Sequence, residues 1–243
     1  MAKDETREPA AEKAADKSPD ISGEQDREII CVVDPMCSWC WGFSPTIRAI
    51  HEAYGDKAPL WLMAGGLRPM NAAPMTEKSK AETRHHWEAV AQASGQPFNF
   101  TFFDRQGFVY DTEPACRALV TVRSLKPAAA IPYLEAVHRA FYAENRDVTD
   151  AGVLAELAEP MGIDRTAFAE VFPAREMMYQ TAGDFYRSQS MGIQGFPTVV
   201  LRKGEELRLL IAGFAPFAQL KTHLDQWIAG EEPFEDGGAE GVA

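Results

Sequence analysis

Two short apolar runs with a helical pattern between them begin the structured part of the sequence. Residues 29–33, IICVV, are continuously apolar and mostly β-branched, which indicates a buried strand. Residues 59–63, PLWLM, predict a second strand. Between the runs, apolar residues recur at the spacing of one helix face: Phe43, Ile47, Ile50 and Tyr54. Pro45 lies inside this pattern, so we predict a kink or a restart of the helix near it.

The pattern becomes helical in the middle of the chain and returns to strands near the end. Residues 71–190 contain successive helical stretches, such as TEKSKAETRHHWEAVAQA and EPACRALVTVRSL. The later stretch FPTVVLRKGEELRLLIAG reads as two strands around a Lys203–Gly204 turn. A final helix is predicted from one apolar face: Phe214, Phe217, Leu220, Leu224, Trp227 and Ile228. The predicted order is βαβ, a helical block, then ββα.

This order divides the chain into an α/β part and an inserted helical part. We predict an α/β domain from residues 29–70 and 191–229, with an all-helical domain, 71–190, inserted between them. Residues 1–28 are polar and almost free of large apolar side chains, so we expect a disordered acidic tail. A second acidic tail is predicted at 230–243.

The charge of the chain is concentrated in these tails. Of the formal net charge of −12, residues 1–28 carry −4 and residues 230–243 carry −5, which leaves −3 for the body. A nearly neutral body without a basic stripe argues against nucleic acid as a partner. No apolar run of about 18 residues is present, so we expect no membrane span.

The first residues also bear on the cellular compartment. They lack the apolar core of a secretory signal, so we expect a cytoplasmic protein if this is the native start. Thiols are normally kept reduced in the cytoplasm, and four cysteines in 243 residues do not form a disulfide scaffold.

Candidate chemistry is concentrated in the stretch DPMCSWCWGF, residues 34–43. Cys37 and Cys40 fall where the first strand meets the first helix, and their spacing puts both side chains on one helix face. The first turn of a helix exposes unpaired N–H groups and a partial positive charge, so a thiolate at Cys37 is stabilised. We therefore predict that Cys37 is the exposed nucleophile and that Cys40, one turn inside, is its shielded resolving partner.

The alternatives to redox chemistry are a zinc site and inert structural thiols. A structural zinc site usually needs four ligands, and only one CxxC pair is present, so no metal is expected. Cys31 and Cys116 are both predicted to be buried, inert thiols.

A further motif, GFPTVV, places Pro197 before a strand. On the general preference of X–Pro bonds alone, we expect a trans peptide bond before Pro197.

The stretches DPMCSWCWGF and GIQGFPTVVL, separated by a long helical block, resemble the DsbA-type branch of the thioredoxin superfamily. The resemblance covers residues 29–229 and is closest to FrnE-like predicted protein-disulfide isomerases. It implies a thioredoxin fold with a large helical insertion and an activity as thiol–disulfide oxidoreductase, as reductase or isomerase. It also implies that Pro197 is a cis-proline facing Cys37 and Cys40, and that Phe196 helps to bind substrate. The residues themselves predict that Trp39 and Trp41 place aromatic surface around the cysteine pair, which suits contact with an apolar polypeptide.

The resemblance also sets the expected partners. These are polypeptides with disulfides or thiols, with glutathione as a candidate reductant and no cofactor beyond the redox-active disulfide. The dipeptide between the two cysteines, Ser38–Trp39, differs from those of the best-known family members, so whether the protein oxidises or reduces its substrates stays open.

The same branch contains kappa-type glutathione transferases and 2-hydroxychromene-2-carboxylate isomerases, which give a second hypothesis for the function. The third is a thioredoxin-like chaperone or binding module, and the oligomeric state is left open.

Overall fold

A mixed β-sheet lies at the centre of the computed structural model, which describes residues 27–231 and 239–240. Its strands are β1 (Arg27–Val33), β2 (Leu60–Ala64), β3 (Thr198–Lys203), β4 (Glu206–Ala212) and β5 (Ala239–Glu240). Their order across the sheet is β2-β1-β3-β4-β5. The pairs β1–β2 and β4–β5 are parallel, whereas β1–β3 and β3–β4 are antiparallel. The predicted βαβ and ββα halves therefore form one sheet, with β1 central.

The continuous apolar run of β1 is explained by burial on both faces of the sheet. Ile29, Cys31 and Val33 point into the main core, together with residues of the first and last helices. Ile30 and Val32 point to the opposite face, where Met63 and Val200 cover them. A strand covered on both faces shows no polar alternation, which is why the sequence reads IICVV.

Eight α-helices surround the sheet or form the predicted helical block within the described residues. They are α1 (Ser38–Tyr54), α2 (Glu77–Ser94), α3 (Glu113–Leu125), α4 (Ala130–His138), α5 (Ala151–Ala158), α6 (Arg165–Val171), α7 (Arg175–Ser190) and α8 (Phe217–Ala229). Residues Arg139–Ala143 continue α4 as a π-helical turn. The side chains of Thr76, Asp150 and Asp164 accept hydrogen bonds from N–H groups of the first turns of α2, α5 and α6.

The predicted restart of the first helix near Pro45 is wrong. Helix α1 runs through Pro45 without a break. Proline has no N–H with which to bond the carbonyl of Trp41, and the side chain of Gln96 supplies the missing donor at 3.3 Å. A contact from the segment that follows α2 therefore replaces the lost bond within the helix.

The predicted tail boundaries also need correction. Arg27 and Glu28 belong to β1, where they pair with Lys203 and Arg202. Ala239–Glu240 pairs with the end of β4, although it was predicted to be part of a tail. The remaining parts of both predicted tails, 1–26, 232–238 and 241–243, lie outside the described residues. The division into an α/β domain and an inserted helical domain stays a prediction.

Aromatic side chains form the core of the helical block and extend to α1. The ring of Trp87 in α2 contacts those of Phe98, Phe100, Phe102, Phe103, Phe141 and Tyr142. Tyr142 in turn stacks on Trp41 of α1, with ring centroids 6.5 Å apart. The helical block is thus anchored directly behind the start of α1. None of the described helices has the length and apolar character required to span a bilayer.

Candidate active site

Cys37 lies at the start of α1, as the sequence predicts. It is the N-cap residue, with extended backbone angles, and its carbonyl accepts the first helical hydrogen bond from Trp41 at 3.1 Å. The side chain of Cys37 accepts no capping hydrogen bond from the first turn of this helix. The sulfur of Cys37 is therefore placed where the unpaired N–H groups of a helix and its partial positive charge lie.

Cys40 lies one turn inside α1 and is fully buried, whereas 5% of Cys37 is exposed. Both residues are thiols in this structure. Burial raises the pKa of the Cys40 thiol well above its usual range, and the hydrogen bond and charge of Cys37 raise it further. The backbone N–H of Asp34, 3.5 Å from the sulfur of Cys40, acts in the opposite direction. Cys37 is the more accessible thiol of the pair, but its accessibility is smaller than the sequence suggests.

Pro197 directly precedes β3, and the residue before it, Phe196, contacts Cys37. The Phe196–Pro197 peptide bond is cis, as the family resemblance implies and contrary to the expectation from X–Pro preference alone. The thiol of Cys37 donates a hydrogen bond to the carbonyl oxygen of Phe196 at 3.3 Å. The ring of Phe196 lies on Gly65, where an added Cβ would come within 2.2 Å of it. Gly65 thus leaves the space that this ring occupies.

The two tryptophans of the motif have different surroundings. Trp39 is half-buried and contacts Phe214, with ring centroids 5.9 Å apart. Trp41 was expected to add aromatic surface beside the cysteines, but it is only 3% exposed. Its indole N–H donates to the carbonyl of Pro97, and its ring faces the helical block. Trp39 and Phe196 therefore remain the partly accessible aromatic side chains next to the pair.

Asp34 is a functional candidate that the sequence patterns did not single out. Its carboxylate is fully buried and accepts N–H bonds from Met36 at 2.8 Å and from Leu67 at 2.6 Å. The thiol of Cys116 in α3 also donates to it, at 3.4 Å. Burial raises the pKa of Asp34, while hydrogen bonds from Leu67, Met36, Thr112 and Cys116 partly oppose that rise. An aspartate ending an apolar strand was the available signal, but its partners are distant in sequence.

Two side chains from the helical block lie behind the same loop. The hydroxyl of Tyr110 donates to the carbonyl of Met36 at 2.6 Å. The ring of His138 is fully buried, and its Nδ1 lies 2.8 Å from the hydroxyl of Ser44 in α1. Burial lowers the pKa of His138 to about 3, against a smaller effect of the backbone of Asp34. The helical block thus fixes both the loop before Cys37 and the helix after it.

Comparison with known proteins gives one matching family. The family described as DSBA-like thioredoxin domain matches residues 28–225. A crystal structure of a candidate protein disulfide isomerase from Nitrosomonas europaea has a TM-score of 0.80 and 36% identity, and it covers 85% of this chain and 99% of that one. The cytosolic disulfide reductase DsbM from Pseudomonas aeruginosa has a TM-score of 0.66 and 27% identity, covering 84% and 96% of the two chains. DsbM is also known as a structure with glutathione.

A more distant similarity leads to a protein with another role. The ClpXP adapter protein SpxH of Halalkalibacterium halodurans is 21% identical over 202 residues, which cover 78% of this chain and 64% of SpxH. The chain thus spans less than two thirds of the length of that relative.

Replacing Asp34 by alanine is expected to destabilise the fold by about 2–4 kcal/mol, because the buried N–H groups of Met36 and Leu67 lose their acceptor. Equilibrium unfolding in urea measures the change. The matched control is Asp104→Ala at an exposed aspartate, for which a change below about 0.5 kcal/mol is expected. A loss below about 1 kcal/mol for Asp34→Ala would show that the carboxylate does not hold the loop.

His138 is expected to make the folded state less stable as the pH falls. Its pKa is about 3 in the folded chain and about 6.5 when unfolded. The unfolded chain therefore takes up the proton first, and the free energy of unfolding falls between these pH values by up to about 1.4 kcal/mol per pH unit. His138→Gln removes this contribution. Urea unfolding at pH 7, 6 and 5 should show that the free energy of unfolding falls less steeply with falling pH for His138→Gln than for wild type. Equal slopes for His138→Gln and wild type would contradict the assignment.

Proposed function

Because the chain belongs to the DSBA-like thioredoxin domain family, we propose that it is a thiol–disulfide oxidoreductase that reduces or isomerises protein disulfides. Cys37 is the attacking thiol and Cys40 the resolving thiol. The observation that carries this proposal is the position of Cys37, whose sulfur lies at the start of α1 and contacts the carbonyl that precedes cis-Pro197. Cys40 lies one turn further along α1, beneath it.

The reaction needs two successive exchanges. The thiolate of Cys37 attacks one sulfur of a substrate disulfide, the S–S bond breaks, and the other substrate sulfur leaves as a thiolate that takes up a proton. Cys40 then loses its proton and attacks the sulfur of Cys37, which releases the second substrate thiol and leaves a Cys37–Cys40 disulfide. In isomerisation, a second thiol of the substrate attacks the mixed disulfide instead and regenerates free Cys37.

The surroundings of Cys40 support this order of events. After burial, the hydrogen bond and charge of Cys37 are the largest causes that raise the pKa of Cys40, and the charge of Asp34 adds to them. Once Cys37 is joined to substrate, its negative charge is gone and one cause of the raised pKa disappears with it. Cys40 therefore becomes easier to ionise only after the mixed disulfide has formed, which favours resolution over premature reaction.

The surface around the pair suits an extended, partly apolar polypeptide. Trp39 and Phe196 flank Cys37, and the neighbouring loop exposes 41% of Leu67 and 77% of Met70. Backbone groups beside cis-Pro197, just before the start of β3, can pair with an extended substrate segment by β-augmentation. Specificity would then come from the side chains around the disulfide.

A cytoplasmic location and glutathione as reductant complete the proposal. DsbM, the 27% identical neighbour, is named as a cytosolic disulfide reductase and is known with glutathione. A reductase needs its own disulfide reduced after each turnover, and a small thiol can supply those electrons. Fractionation of cells and the rate of reduction by glutathione test the two points separately.

The distant similarity to SpxH favours a second candidate, a protein-binding adapter that does not use the cysteines. The half-buried Trp39 and the exposed loop residues Leu67 and Met70 would then serve as a docking surface. Under this alternative, a variant lacking both Cys37 and Cys40 would perform the cellular role of the protein as well as wild type does. Under the main proposal, the same variant would not perform it.

Reduction of insulin disulfides is expected to fall to the uncatalysed rate in Cys37→Ser, because the attacking sulfur is absent. Cys40→Ser is expected to accumulate a mixed disulfide with insulin, since nothing resolves it. Turbidity measures the first effect, and mass spectrometry before and after dithiothreitol measures the second.

The matched control is Cys31→Ala, which removes a buried thiol of β1 and should leave the rate within about twofold of wild type if the variant is folded. Equal insulin reduction by wild type and Cys37→Ser would reject the proposed function. Absence of any adduct in Cys40→Ser would reject the assigned roles of the two cysteines.

A further inference from the structure

A groove of about 510 Å³ opens between the loop that follows β2 and the first turn of α2. Arg68, Asn71, Met75, Thr76 and Tyr110 are among its lining residues. Tyr110 connects the groove to the redox pair, because its hydroxyl donates to the carbonyl of Met36, the residue before Cys37. The volume is within the range of roughly 300–1,000 Å³ that is typical of small-molecule sites.

Arg68 is the charged residue of this groove. Its guanidinium lies 5.0 Å from the centre of the Tyr110 ring, and the residue is exposed. Among residues 27–231, its side chain makes no ion pair and donates no hydrogen bond, whereas its backbone N–H is bound by Thr112. The stacking on Tyr110 fixes the position of the cation and leaves its planar N–H donors available.

Comparison with the other stacked arginines shows that this arrangement is unusual within the described part of the chain. The other arginines placed over aromatic rings each donate a side-chain hydrogen bond to a protein acceptor: Arg27, Arg84, Arg105, Arg117 and Arg123. Their stacking is therefore part of structural contacts. Arg68 has the same stacking without the acceptor, so its donors are open to a ligand.

The charge around the groove favours an anion. No aspartate or glutamate is among the groove's lining residues in the described structure, although the chain as a whole carries −12. The first turn of the 18-residue helix α2 borders the groove at Thr76 and adds a partial positive charge. A carboxylate matches the guanidinium because two of its oxygens can accept parallel N–H bonds.

We propose that Arg68 binds the carboxylate of a small anionic thiol in this groove and so directs the thiol sulfur to Cys37. The inference rests on the proposed function, and glutathione is the probe. Its thiolate attacks Cys37 in the Cys37–Cys40 disulfide, and Cys40 leaves and takes up a proton. A second glutathione thiolate attacks the glutathione sulfur of the mixed disulfide, which yields glutathione disulfide and frees Cys37. Two thiols are oxidised and one enzyme disulfide is reduced.

The test compares the rates at which three thiols reduce the oxidised enzyme. These are glutathione, its uncharged-carboxyl diethyl ester, and dithiothreitol, with the reaction stopped by acid and the free thiols counted by alkylation and mass spectrometry. Arg68→Gln is expected to slow reduction by glutathione about tenfold, the loss of one charge-assisted interaction, and to leave the rate with dithiothreitol unchanged. Wild type should be reduced faster by glutathione than by the ester, and this difference in rate should disappear in Arg68→Gln. Arg68→Lys, which keeps the charge but loses the planar fork, should lie between the two.

Arg175→Gln is the matched control, because it removes another exposed arginine that does not line the groove. It should leave all three rates unchanged. An unchanged glutathione rate in Arg68→Gln, or an equal slowing with all three thiols, would overturn the inference. Slower insulin reduction by Arg68→Gln with dithiothreitol as donor would also overturn it, since the groove would then serve polypeptides. If dithiothreitol does not reduce a Cys37–Cys40 disulfide in wild type, the proposed function itself fails, whatever glutathione does.

Discussion

The buried carboxylate of Asp34 is the contact on which the geometry of the site depends. It ends β1 and binds the backbone of Met36 on one side and of Leu67, in the loop after β2, on the other. The two loops that flank Cys37 are therefore tied to one side chain. A carboxylate can do this where an amide cannot, because both of its oxygens only accept hydrogen bonds and all of its neighbours are donors. Removing this carboxylate from water costs free energy, and for the same reason burial raises the pKa of Asp34.

The helical block completes this arrangement rather than merely covering the sheet. Cys116 of α3 reaches the carboxylate of Asp34, and Tyr110 binds the carbonyl of Met36. Behind α1, Tyr142 stacks on Trp41 and His138 contacts Ser44. Trp41 and Ser44, in the first two turns of α1, are thus positioned by side chains of the helical block. A change in the packing of the helical block would consequently shift the cysteine pair.

Sequence reasoning succeeded where the determining contacts are local. The buried run of β1, the helix of 113–125 and the cysteines at the joint of strand and helix all follow from spacing and periodicity within a few residues.

Sequence reasoning failed where a residue distant in sequence determines the local structure. Pro45 does not interrupt α1 because Gln96 replaces the missing donor. Trp41 is buried because its indole N–H donates to the carbonyl of Pro97 and its ring stacks on Tyr142. The groove at Arg68 joins segments about 40 residues apart along the chain, and no local pattern indicates it. The cis bond at Pro197 was predictable only through the family resemblance.

The hydrogen bond between Cys37 and the carbonyl of Phe196 indicates how substrate access and ionisation are linked. That bond exists only while Cys37 carries its proton, because a carbonyl oxygen cannot donate to a thiolate. When the proton leaves, the sulfur loses its attraction to Phe196 and is drawn to the unpaired N–H groups at the start of α1. The carbonyl beside cis-Pro197 is then free to accept an N–H from an extended substrate. Under the proposed function, ionisation of Cys37 and exposure of a backbone acceptor for the substrate are therefore the same event.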